Sequence, residues 1–120
     1  MPVEQAKGDQ RRYPRWAVGR RLTGRVGNVP KVSVINLSLG GALIEHPSLL
    51  HPGLTLFLNL IFPGHEVGLK CRVVRSDPHG YEDLPAGGRD LVYRSGVEFV
   101  DISEASHRVI NGYIEFLSGL

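Results

Sequence analysis

Apolar and polar residues alternate most cleanly over Val67–Val73, where Val67, Leu69, Cys71 and Val73 are separated by Gly68, Lys70 and Arg72. A period of two is the signature of a strand with one face against a core. Shorter segments of strand character are Leu22–Val26, Lys31–Ile35, Ala42–Glu45 and Leu91–Val100, the last with Val97 and Phe99 on one face and Glu98 on the other. Leu54–Phe62 is apolar on both faces at its centre, which predicts burial against more than one neighbour. Phe57, Phe62 and Phe99 are expected in the core. Gly27, Asn28 and Pro30 form a turn between the first two strands. His46–Gly53, with two prolines, reads as a loop, and so does the polar stretch Ser76–Asp90, which holds Pro78, Gly80, Pro85, Gly87 and Gly88.

The period changes near the C-terminus. Ile110, Tyr113, Ile114 and Leu117 fall at helical spacing and predict an amphipathic helix over Ser103–Ser118. Asp101 and Glu104 have the spacing of a capping box, so the helix is expected to begin right after Asp101. The succession predicts a mainly β fold, a six-stranded antiparallel β-barrel with the C-terminal α-helix packed against it. A barrel of that size fills its interior with side chains, so a ligand would bind on its rim or outer surface.

With 120 residues, 42% of them hydrophobic and 22% charged, the chain is expected to form one globular domain. Residues 1–10 are polar and aperiodic and are expected to be a flexible tail, with the domain over 11–120. No apolar run reaches the ~18 residues of a membrane span, and no apolar segment near Met1 suggests a secretory signal. A lone cysteine, Cys71, fits a reducing compartment, and a cytoplasmic location is expected. The net charge of +2 is uneven: residues 1–25 carry seven cations against two acids, the remainder seven against ten. That basic front end on a mildly acidic body points to an anionic partner.

Two short motifs give the charge a chemistry. Arg11-Arg12-Tyr13-Pro14-Arg15 gathers three guanidinium groups on a stretch that Pro14 keeps from being helical. Asn36-Leu37-Ser38-Leu39-Gly40-Gly41 offers an amide, a hydroxyl and two glycines where a backbone could approach a ligand closely. Guanidinium forks match phosphate oxygens and the O6/N7 edge of guanine, and the small polar turn suits another edge of the base. Together they suggest a receptor for a guanine-containing, doubly anionic ligand. The same turn would also serve as a plain connection between two strands.

Arg11-x-x-x-Arg15, then Asn36-x-Ser38-x-x-Gly41, then the strand Gly96-Val97-Glu98-Phe99, resemble the PilZ domain family over nearly the whole chain. The resemblance implies a bacterial receptor for the second messenger cyclic di-GMP, with motility, exopolysaccharide and biofilm control as family themes. It implies that Arg11 and Arg15 bind guanine and phosphate groups and that Asn36, Ser38 and Gly41 form the facing surface. Arg12, beside the two arginines, is expected to clamp a second phosphate or a second ligand molecule, and Gly40 to remove side-chain bulk where the turn meets the ligand. Ligand binding would fold the Arg-rich segment over the barrel and alter contact with a downstream protein. The alternative is an interaction adaptor of the same fold that binds no nucleotide.

Other functions find less support. The five histidines, His46, His51, His65, His79 and His107, show no ligand spacing and are expected on the surface or in loops. Cys71 sits on the apolar side of its strand as an inert thiol. Neither a nucleophile elbow nor a P-loop is present, so no catalysis, metal or cofactor is expected. The nine aromatics are scattered rather than arrayed along a groove, which speaks against single-stranded nucleic acid.

Overall fold

The computed structural model describes residues 16–27, 29–62 and 64–117. The expected tail and Arg11, Arg12 and Arg15 lie outside the described residues. Six strands, β1 (Trp16–Val26), β2 (Val29–Leu37), β3 (Gly41–His46), β4 (Thr55–Phe62), β5 (His65–Asp83) and β6 (Arg89–Phe99), precede one helix, α1 (Glu104–Leu117). They close in the order β1-β2-β3-β6-β5-β4, every neighbouring pair antiparallel, with β4 returning to β1. The expected barrel and terminal helix are therefore present.

Alternation explains the closure. Leu22 and Val26 of β1, Val32 and Val34 of β2, Ala42 and Ile44 of β3, Leu58 and Leu60 of β4, Leu69, Cys71 and Val73 of β5 and Val97 of β6 share one apolar interior. Burying a side chain of this size stabilises by about 1.5–3 kcal/mol, which fixes register, since a slip of one residue would turn each strand's apolar set to water. Ile110 and Ile114 of α1 join the same core, and Tyr113 meets Phe62 edge-on at 5.1 Å. Among the described residues no helix is long and apolar enough to cross a membrane.

Four expectations are corrected. Ser76–Asp90 is not a loop, because β5 runs to Asp83 and pairs with β6 back to Arg89, making a two-stranded arm. Its residues 77–83 are exposed on both faces, so no apolar alternation announces it. Leu84–Gly88 closes the arm through Gly87 N–H on Leu84 C=O and Leu84 N–H on Gly88 C=O, with Gly87 and Gly88 at φ 94° and 89°. β4 is buried on one face alone, and Phe57 is 63% exposed rather than core. The helix is capped by Ser103, whose Oγ accepts from the Ser106 amide at 3.1 Å, while Asp101 stands outside it at φ 52°. Finally, His46 is buried at the end of β3, not exposed in a loop.

Candidate functional site

The β2–β3 connection is held by Ser38. Its amide donates to Gly41 C=O at 2.9 Å and its hydroxyl donates to the same oxygen at 3.2 Å. That hydroxyl also accepts from the amides of Gly40 and Gly41, each at 3.1 Å. One donor and two lone pairs are the full capacity of a hydroxyl, and Ser38 is 3% exposed. Ser38 thus gives the turn its shape. Gly40 C=O accepts from the Phe99 amide at 2.8 Å, which ties the turn to the end of β6.

The glycines are explained by space. A Cβ on Gly41 would lie 2.1 Å from Val97 C=O, so no side chain fits between β3 and β6 there. Neither Gly40 nor Gly41 has a positive φ.

Asn36 owes its position to an irregularity. The β2–β3 register shifts between Val34 and Asn36, which places Val34 and Leu37 inward and leaves Ile35 and Asn36 half-buried. A bulge of this kind re-aims a side chain by breaking the alternation. A cross-strand row then runs Asn36, Leu43, Gly96, Arg75 over β2, β3, β6 and β5. It lies outside the barrel, because the flanking Leu37, Ala42, Ile44 and Val97 are buried within.

Trp16 pairs with Leu37 at the start of β1, one residue from the Ser38 turn. Asn36, Ser38, Gly40 and Gly41 therefore stand together beside the point where the chain enters the barrel. Arg11, Arg12 and Arg15 lie outside the described residues, so their relation to this surface is not part of the geometry. Around it Arg72 pairs with Glu98, and Arg94 Nε donates to Glu45 Oε2 at 2.9 Å. Sequence reasoning did not foresee that Val74 and Arg75 would both be exposed, where the β5–β6 register shifts. The signal was the break in alternation at Val73-Val74, two branched apolar residues in succession.

Polar groups elsewhere have structural work. His46 Nε2 lies 2.7 Å from Ser95 Oγ, which reaches Ser76 Oγ at 2.8 Å, and Ser76 Oγ accepts from the Leu50 amide at 3.2 Å. This chain of bonds ties the β3–β4 connection to the base of the arm. Burial holds the His46 pKa below its ordinary value, against the opposing effect of the Ser48 backbone and Glu45. Burial also pushes the Cys71 thiol up to about 12, with the Leu58 backbone opposing, so it stays an unreactive thiol. A cavity of about 360 Å³ includes Lys31, His46, Glu82 and Asp90 in its wall, but none of Asn36, Ser38, Gly40 or Gly41. Among the described residues no group of three or more His, Cys, Asp or Glu is placed to hold a metal ion.

The family model of the PilZ domain matches residues 9–116. Among solved structures, the fold matches the PilZ domain of YcgR from Escherichia coli, determined with cyclic di-GMP, at a TM-score of 0.70. The two share 14% sequence identity over 92% of each chain, so that likeness speaks for the fold. No curated protein matches the chain significantly.

Proposed function

Because this chain belongs to the PilZ domain family, we propose that it is a receptor for cyclic di-GMP and acts by binding that ligand rather than transforming it. The ligand would lie on the outer row at Asn36 and Leu43, against the Ser38–Gly41 turn. Arg11, Arg12 and Arg15 would close over it from the other side. The pairing of Trp16 with Leu37 carries this reading. Arg15 is bonded to Trp16, so its Cα is tethered about 3.8 Å from that residue, and Arg11 is at most about 14 Å further along the chain. Both motifs can thus serve one ligand.

The chemistry suits each part. Two phosphates in a ring neutralise guanidinium groups that would otherwise repel one another, and each guanine offers a face for stacking and an O6/N7 edge for a fork. Asn36 has an amide oxygen able to accept from guanine N1 or N2. The tied turn lets the backbone come close without a side chain in the way. Ligand binding would then fix residues 11–15 on the barrel, and a downstream protein would read that changed surface in the cytoplasm.

Calorimetric titration of the full chain with cyclic di-GMP, and with cyclic di-AMP as control, tests the reading. Saturable binding of the guanine ligand alone is expected, weakening as salt is added because charge contacts dominate. Equal binding of both ligands, or an affinity flat across ionic strength, would remove the guanine-and-phosphate clamp.

A further inference from the structure

The helix α1 carries two apolar stripes, and its own barrel uses one of them. Ile110 and Ile114 are buried, with Tyr113 packed against the same core. About a third of the way round the helix stand Ala105, Val109, Gly112 and Phe116, spaced by four, three and four residues. That spacing keeps one face of a helix continuous against another helix. Ala105, Gly112 and Phe116 are exposed and Val109 is half-buried. We propose that this second stripe docks on the same stripe of a second copy of the chain, with the two helices antiparallel. The proposal goes beyond the receptor reading and does not depend on it.

Nothing inside the chain accounts for the stripe. Phe116 is 65% exposed, with only the edge of the apolar surface beside it in the Tyr113 ring at 6.1 Å. Gly112 stands in mid-helix, where glycine is the poorest residue after proline. A Cβ there would meet nothing within 4 Å, so the barrel has no need of the gap. An open hollow and a projecting ring on one face are what a helix–helix contact requires.

The order of sizes selects a second copy and its direction. A two-fold axis crossing α1 midway between Ile110 and Asn111 sets Phe116 against the second copy's Ala105, and Val109 against its Gly112. Each large side chain then meets a small one, as close packing demands. A parallel pair would set Phe116 on Phe116 and leave Gly112 facing Gly112.

The flanking charges agree. Arg108 lies on the solvent side of the stripe, and among the described residues it makes no ion pair. Under the same axis it comes level with the second copy's Tyr113, about 3 Å along the helix from Glu115. Glu115 flanks the stripe on that same side, and a carboxylate has acceptor sites for more than one donor. The pair Arg108–Glu115 therefore forms twice across the axis, and such flanking charges set helix direction. The stripe is about 16 Å long, so the contact is small and the dimer weak and concentration-dependent.

Sedimentation velocity on the full chain, from about 10 μM to about 1 mM, tests the proposal. The average mass should climb toward that of a dimer. Phe116→Ala is expected to weaken association about ten-fold or more. Gly112→Leu should do the same by filling the hollow, while its unfolding midpoint at low concentration holds or rises, since leucine favours a helix. That pairing separates lost docking from a damaged fold. Arg108→Glu should weaken association, and adding Glu115→Arg should recover it. Phe57→Ala, which removes an exposed ring from β4, should associate as the wild type does. A monomer throughout the range, or unchanged association in Phe116→Ala or Gly112→Leu, would overturn the proposal. An equal loss in Phe57→Ala, or no recovery in the double reversal, would overturn it as well.

Discussion

The two faces of the barrel wall are made by the same strands and obey different rules. Inward, Val32, Val34, Leu37, Ala42, Ile44, Val73 and Val97 are all buried and apolar, and nearly interchangeable in chemistry. Outward, the row Asn36, Leu43, Gly96 and Arg75 mixes an amide, an alkyl group, a gap and a cation. Area removed from water sets the first face, so any residue of the right size serves. Position sets the second, and a bulge in β2 and another in β5 secure it. On the receptor reading, stability and recognition can therefore be altered separately.

The largest expected effect lies on the inner face. Ile44 is fully buried, so Ile44→Ala should cost about 2–5 kcal/mol of stability in urea unfolding, by lost burial and the cavity left behind. At a ligand concentration well above saturation, the folded fraction should still bind. Removal of Arg15 should give the opposite result. On the receptor reading, Arg15→Ala loses at least ~2 kcal/mol of cyclic di-GMP binding in calorimetry while its unfolding midpoint stays put. Wild-type affinity in that variant would contradict its role.

A smaller effect is expected from acid. Burial keeps the folded-state pKa of His46 below the ordinary 6.5, so the unfolded chain takes up a proton that the folded one refuses. The stability from this residue is complete above that ordinary value and declines as pH falls below it. Unfolding midpoints at about pH 7.5 and about pH 5.5 should differ in that direction, and less so when His46 is replaced by Gln. The smallest effect belongs to the arm. Tyr81 is 68% exposed, and Tyr81→Ala should change stability by no more than about 0.5 kcal/mol.

What the sequence reveals follows the same division. The alternation of Val67–Val73 and the helical spacing of Ile110, Tyr113 and Ile114 are legible because burial enforces them. The arm over Asp77–Asp83 is not, since backbone pairing holds it and its turn-forming residues suggest a loop. Phe57 misleads because an apolar side chain is free to face water. Asp101 misleads because its spacing to Glu104 mimics a cap that Ser103 supplies. At the site, the motif positions Asn36, Ser38 and Gly41 are legible, but their reasons are not. Ser38 spends its hydroxyl on the turn, and Gly41 answers to Val97 C=O across the sheet, a contact between residues distant in the chain. The exposure of Arg75 beside Val74 is not legible because it depends on a bulge.

Amide hydrogen exchange on the full chain, with and without saturating cyclic di-GMP, tests the central claim most directly. The account expects slowed exchange in residues 11–15 and in Asn36–Gly41, with the arm tip at Leu84–Gly88 unchanged. Protection absent from both segments, or confined to the surroundings of Lys31 and Glu82, would contradict it.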